Sequence, residues 1–429
     1  MTGHQRQRSH SVSRVLVPLG LATCLSVFGD LTLYAVLATQ RDAVGLSQGS
    51  VGVMLGVNRL IRIPGNPLAG MLLDRLGRRR PLILGLLLGV LSTASCALVR
   101  GFWPFLASRL AWGIAWTLIN VGGLAMVLDV STQANRGRLS GLYNAWEWMG
   151  YTLGPLAGGF LVDAIRFRPA LLACAGLAAA GVAVAVAALP ETARATAGNA
   201  RGELRPALSL RPRLDRLDEA WRRGRDALRA SHGLTGVFWL HLITKFASLG
   251  VVLSTLSLLL ERRFGQRIAL GSLSLGVASA GGTLLGLFSL LTSTVGPLAG
   301  HLSDTRTGRW PMIVGSLAAG VAGFGLLSCA TSLGAVVLGV ALSAVGAGAG
   351  LATLAAQVGD LSPPGREGVV MGAYATAGDV GSMAGPFLAF ALLSVVDLQW
   401  VYLLCALVLL ASLWYIRFWP HRRKTGGAG

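Results

Sequence analysis

Apolar runs long enough to cross a bilayer recur about twelve times along these 429 residues, and no other property limits the possible folds as much. Marked between charged or Gly/Pro-bearing breaks, they fall near 15–38, 47–70, 81–100, 103–128, 139–163, 169–190, 235–260, 269–295, 311–331, 333–356, 368–394 and 398–419. A helix needs about 20 apolar residues to cross the hydrocarbon, and an unpaired backbone is not tolerated there. The sequence therefore predicts an all-α membrane protein with twelve transmembrane helices. Charged residues make up 13% of the chain, against roughly 25% in a soluble domain, and the mean hydropathy is +0.63, which excludes an ordinary soluble enzyme.

An even number of crossings puts both ends on one side, and Lys and Arg decide which side that is. Of 37 such residues, 26 fall on the terminus side and 7 on the other, so both termini are expected to be cytoplasmic. The net charge of +19 is thus spread over all the cytoplasmic loops, as orientation requires, and no nucleic acid partner is expected. The start, 1–14, leads into a run too long for a signal-peptide core, so the first run is expected to stay as a membrane helix. One long polar connection divides the chain: a six-helix bundle over 15–190, a basic cytoplasmic linker over 191–234, a second bundle over 235–419 and a tail over 420–429. Within the linker Leu210, Leu214, Leu217, Trp221 and Leu228 recur at helical spacing opposite Arg213, Arg216, Arg222, Arg223 and Arg229. That pattern suits either a basic helix lying on an anionic leaflet or a solvated linker. The five cysteines, Cys24, Cys96, Cys174, Cys329 and Cys405, lie in apolar runs without a CxxC pair, and read as buried thiols rather than a disulfide frame or metal site.

The two bundles are copies. Pro67-Leu68-Ala69-Gly70 recurs as Pro297-Leu298-Ala299-Gly300, and Asp74 as Asp304, 230 residues later. After one inserted residue, Gly77-Arg78 matches Gly308-Arg309, Asp129 matches Asp360, Tyr143 matches Tyr374, and Gly150, Gly154 and Pro155 match Gly381, Gly385 and Pro386. Six crossings per copy preserve orientation, which makes this a parallel repeat with its substrate site between the halves near mid-membrane.

Gly70-Met71-Leu72-Leu73-Asp74-Arg75-Leu76-Gly77-Arg78-Arg79 is a full match to the loop 2–3 motif of the major facilitator superfamily, and the resemblance runs over both halves. It implies that family's fold of two parallel six-helix repeats. Physically, the glycines allow a tight turn, and Asp74 can sit near a helix N-terminus and pair with the neighbouring arginines, bracing one half against the other in one conformation. The second copy, around Asp304, is degenerate. Gly150-Tyr151-Thr152-Leu153-Gly154-Pro155-Leu156-Ala157-Gly158-Gly159 resembles the motif of the superfamily's antiporters, which implies a drug:proton antiporter, although the same small residues serve simple helix packing. Arg109, four residues before Gly113, fits the fourth-span motif loosely.

An ionisable group inside a span is costly unless it pairs or faces water, which makes each one a functional candidate. Asp30 shares a helix face with Ser26 and Tyr34 and is the first choice for a proton or substrate site. Glu147 lies between Tyr143 and Tyr151, where desolvation favours holding a proton, unless an arginine from a neighbouring helix fixes it as an ion pair. Asp379 stands one residue from the repeat position of Glu147, so the two can flank the central axis, or Asp379 can contact the loop 2–3 motif. Arg62, with Asn58, Asn66 and Arg59, is expected about 18 Å from Asp74 at about 1.5 Å per residue. It either neutralises Asp30 or Glu147 or offers a fork to an anionic substrate. Lys245 and His241 share a face and can bind substrate or titrate, and Trp112, Trp116 and Asn120 follow Arg109 as an aromatic wall suited to amphiphilic ligands or to plain packing.

These residues point to a monomeric secondary transporter in the plasma membrane that exchanges protons for a small amphiphilic substrate by alternating access. A transporter of organic anions or sugars is the alternative. No GxxxxGK[ST] sequence marks an ATP site, and no interfacial His, Asp or Ser cluster marks an enzyme or a sensor; neither cofactor nor metal is expected.

Overall fold

The structure, a computed structural model, describes residues 3–192, 232–270, 273–363 and 367–418. The linker expected over 191–234 lies, but for its ends, outside the described residues, and so does the tail 420–429. Six spans form the first half: Val12–Val36, Gln48–Leu76, Arg79–Leu98, Phe102–Val130, Arg136–Ile165 and Phe167–Ala188. Six form the second: Gly233–Phe264, Val277–Thr307, Arg309–Cys329, Leu333–Leu361, Glu367–Leu392 and Leu398–Phe418. They are spans 1 to 12 below. Among the described residues, nine are long and apolar enough to cross a membrane by length and composition alone. The other three, spans 2, 5 and 11, carry Arg59, Arg62, Glu147 and Asp379, while Asp30, Arg109 and Lys245 are single charges within the apolar spans 1, 4 and 7.

Local departures from regular helix fall near those charges. Span 1 ends one helix at Ser26 and resumes at Phe28, which puts Asp30 in the first turn of the new segment. Span 7 widens into a π-helical turn over Phe246–Val252, directly after Lys245. Such an insertion often marks a working site.

Two expectations fail. The run at 269–295 begins not as a helix but in a hairpin, Arg267–Leu270 paired antiparallel with Leu273–Gly276. Short apolar segments suit either state, and hydropathy alone cannot separate them. Cys329 is exposed at the end of span 9, whereas the other four cysteines are buried. In a membrane protein an apolar run is also what faces lipid, so it does not guarantee burial.

The halves meet along two seams, span 2 against span 11 and span 5 against span 8. Away from the termini both seams are tight. A methyl added to Gly52 would sit 2.5 Å from the Pro386 carbonyl oxygen, and one on Gly56 would sit 2.5 Å from the Phe387 ring. Methyls on Gly159 and Gly282 would each come within 3.3 Å of the other's Cα. On the terminus side the same spans part, because methyls on Gly70, Gly141, Gly300 and Gly372 would meet nothing within 4 Å. The halves thus form a V that opens towards the side of the termini.

Candidate substrate and proton site

Where the V closes, the inner charges gather. Arg109, 1% exposed, sets Nη2 2.7 Å from Asp30 Oδ1 and donates from Nε to the Met54 carbonyl at 2.8 Å. Asn58 Nδ2 donates to the same Asp30 oxygen at 3.4 Å. One turn further along span 1, the Tyr34 hydroxyl donates to the Leu55 carbonyl at 2.6 Å and accepts from Arg59 Nε at 3.4 Å, while the Arg59 guanidinium lies 5.8 Å from the Tyr34 ring centroid. These bonds stitch spans 1, 2 and 4 together through polar side chains.

Arg62 takes neither of the partners expected for it. It pairs across the seam with Asp379 of span 11 at 3.4 Å and lies 5.9 Å from the Trp116 ring, which stacks on Trp112 at 6.3 Å. Asp30 belongs instead to Arg109. Heights along the membrane normal made several pairings possible, and helix rotation selected among them. Asp379 is thereby engaged with Arg62 and not with the loop 2–3 motif. Glu147 forms no ion pair and no hydrogen bond among the described residues; the cations acting on it are Arg62, Lys245 and Arg59. Lys245 likewise has no carboxylate within ion-pair distance there, although Asp379 and Glu147 both act on it. Four cations therefore face three acids at the centre. His241 stacks on Tyr374 at 3.7 Å, with its Nδ1 and the Tyr374 hydroxyl buried and unpartnered. Asn120 is half-buried and its side chain makes no hydrogen bond among the described residues.

The loop 2–3 motif forms a clamp inside the first half. Arg78 holds Asp74 at 2.8 Å and Asp129 at 3.3 Å. The repeat builds the same clamp in the second half, where Arg309 holds Asp304 and, at 3.0 Å, Asp360. In this conformation neither clamp reaches across the seam. Asp74 lies in the last turn of span 2, not at a helix N-terminus as expected. That place is filled by Glu191, whose two carboxylate oxygens accept from the amides of Arg78 (2.8 Å) and Arg79 (3.1 Å) at the start of span 3. Arg79 also donates to the Val186 carbonyl at 2.5 Å, and Arg75 is exposed. Gly77 turns the chain at φ 81°, a conformation that favours glycine, and a Cβ there would lie 2.6 Å from Glu191 Oε2.

Span 5 uses its small residues on two faces. Gly150 and Gly154 pack on Cys24 and Phe28 of span 1, and Gly158 on Thr32, while Pro155 and Gly159 pack on span 8 across the seam. One turn beyond, Asp163 Oδ2 accepts from the Ser279 amide at 2.7 Å and from its hydroxyl at 2.6 Å. Gly276, the cap residue of span 8, has no side chain to do this, so a residue of the other half caps the helix. The cap exists only while this side of the V is shut. An N-cap contributes about 0.5–2 kcal/mol, so Asp163→Ala should shift the population about two- to thirtyfold towards the form open on the side away from the termini. Adding Gly276→Ser, a cap within the chain, should restore the helix end but not the balance. Pulsed EPR distances between labels on the two halves check this, and an unchanged distribution in Asp163→Ala would remove the latch.

A cavity of ≈ 840 Å³ opens on the terminus side between spans 5, 8 and 10, lined largely by apolar side chains such as Trp148, Met149, Leu153 and Leu290. A smaller recess bounded by Asp30, Arg59, Arg62, Trp116 and Tyr151 lies within the charged centre. The Trp148 and Tyr151 rings, 5.4 Å apart, stand between the two.

Among known proteins, the family model described as Major Facilitator Superfamily matches residues 19–285 and 272–428. Tetracycline resistance protein, class C, of Escherichia coli is 26% identical over 94% of this chain and 98% of its own. The class G tetracycline resistance protein of Vibrio anguillarum is 26% identical over 92% of both chains. A bacterial homologue of the human lysosomal transporter Spinster, solved in an inward-facing and unoccupied conformation, shares the fold with a TM-score of 0.67 at 17% identity, covering 95% of each chain.

Proposed function

As this chain belongs to the major facilitator superfamily of membrane transporters, we propose that it exports small amphiphilic molecules in exchange for protons by alternating access. The observation that carries this reading is the central charge cluster, set where a V closed on one side opens on the other. In this reading the open side is cytoplasmic, which the Lys and Arg distribution supports. The tetracycline resistance relatives favour efflux of drug-like compounds.

Glu147 is the proton carrier in this reading. It has no ion pair among the described residues and is held near Arg59, Arg62 and Lys245, so loading a proton there breaks no salt bridge between them. Asp30 is tied to Arg109 and serves to hold spans 1, 2 and 4 in register. Antiport requires proton and substrate to oppose each other at the site. A cationic amphiphile competes with the proton on Glu147, so its binding weakens as pH falls. An organic anion gains when Glu147 is neutral, so its binding strengthens as pH falls and the two travel together. The excess of one cation at the centre favours this second reading, an anion transporter coupled to protons.

In vesicles with only a pH gradient applied and tetracycline as the first probe, Glu147→Gln should keep downhill exchange and lose uphill accumulation. Uphill accumulation by Glu147→Gln at the wild-type level would sink the assignment. The sign of the pH dependence of ligand binding separates antiport from anion cotransport.

A further inference from the structure

We propose that the opening between spans 5 and 8 is a slot through the protein wall, by which an amphiphile dissolved in the terminus-side leaflet enters with its apolar body in the slot and its polar head at the charged centre. The export reading supplies only the direction of travel. The slot itself rests on which faces of span 5 line it.

Leu142, Met149, Leu153 and Phe160 are all exposed and recur at spacings of seven, four and seven, a single stripe along the helix. Phe160 lies on the side where the halves are pressed together, so an exposed ring there faces only the bilayer. The whole stripe is therefore the lipid face. Asn144, Glu147 and Tyr151, at i, i+3 and i+7, form a different face, and Tyr151 bounds the recess that holds Asp30, Arg59 and Arg62. The ≈ 840 Å³ cavity is lined by both faces, by Met149 and Leu153 at one rim and by Asn144 at the other, with Trp148 between them. A cavity confined to the central vestibule would touch only the inner face.

The lining also grades in polarity. Met149, Leu153 and Leu290 form the lipid end, whereas Asn144 stands one turn from Glu147. An elongated molecule with an apolar body and one polar or charged end fits that gradient. A compact hydrophilic solute leaves the apolar wall unmatched.

The test places a bimane fluorophore at residue 148 (Trp148→Cys, with the five native cysteines replaced) in the full-length protein in vesicles. Phosphatidylcholine with a nitroxide at its acyl-chain end probes lipid access, and iodide probes water access. The tail nitroxide should quench residue 148 to at least half the extent seen for the same fluorophore at Leu153→Cys, and iodide should quench it little. Met149→Trp, which partly fills the rim, should reduce the tail quenching about twofold at an unchanged melting temperature. Should Trp148→Cys fold poorly, Thr152→Cys takes its place on the same wall. Quenching by iodide without quenching by the lipid tail would show a vestibule open to water alone and overturn the slot. Neither readout involves transport, so a failed export reading leaves the result intact, and the reverse holds as well.

Discussion

Arg109→Ala should destabilise the first half by about 3–5 kcal/mol, the cost of removing one partner from a buried ion pair. The guanidinium is 1% exposed, and its ion pair with Asp30 ties span 4 to span 1 while its hydrogen bond to the Met54 carbonyl ties it to span 2. Loss of the side chain strands the Asp30 carboxylate, with Asn58 at 3.4 Å as its remaining donor. Arg109→Lys should recover only part of the loss, because an ammonium keeps the charge but lacks the planar fork that reaches both acceptors. The double variant Arg109→Ala, Asp30→Asn should regain much of the stability, since no uncompensated charge then remains. Thermal unfolding of the purified variants checks the series. A melting temperature for Arg109→Ala equal to that of the wild type would show that the pair does not hold these three spans.

Asp379→Asn and Arg62→Gln should move ligand preference in opposite directions. Their side chains, 15% and 13% exposed, meet at 3.4 Å on the seam between spans 2 and 11. Removing Asp379 leaves four cations against two acids and frees the Arg62 fork, so an anionic amphiphile should bind roughly ten- to a hundredfold more tightly and a cationic one correspondingly less. That range follows from about 1.5–3 kcal/mol for a hydrogen bond to a charged group and about 1.4 kcal/mol per tenfold. Arg62→Gln exposes Asp379 instead and should favour the cation. Arg62→Lys should lie near the wild type if charge balance is what matters, and near Arg62→Gln if a bidentate grip on the substrate matters. Thermal stabilisation by one anionic and one cationic amphiphile reads this out, because a ligand that binds only the folded state raises its stability. Equal losses for both ligands in both variants would mean that the pair braces spans 2 and 11 and plays no part in choosing substrates.

The amino-acid sequence by itself determined the architecture. Hydropathy over about 20 residues is a local quantity, and its runs outlined the twelve helices, nine of them clear apolar spans among the described residues, with the start of span 8 displaced into the hairpin at 267–276. Repeat positions were equally legible: Asp74, Arg78 and Asp129 match Asp304, Arg309 and Asp360, and each set closes into the same clamp. Small residues at spacings of four marked where helix backbones approach, as Gly150, Gly154 and Gly158 do against span 1.

Only the tertiary structure decided who pairs with whom. Asp30, Glu147, Arg59, Arg62, Arg109, Lys245 and Asp379 all stood out as charges in apolar spans, yet partners depend on the rotation and tilt of helices far apart in the chain. Arg62 turned to Asp379 and Arg109 to Asp30 for that reason. Asp163 and Glu191 left no mark in the sequence, because an acid near a span end reads as an ordinary solvated residue. Each gains its role from a helix N-terminus that another part of the chain brings within reach: Ser279 of the opposite half for Asp163, and Arg78 and Arg79 for Glu191. Backbone amides at a helix start attract any carboxylate, so nothing in the local sequence says which carboxylate arrives.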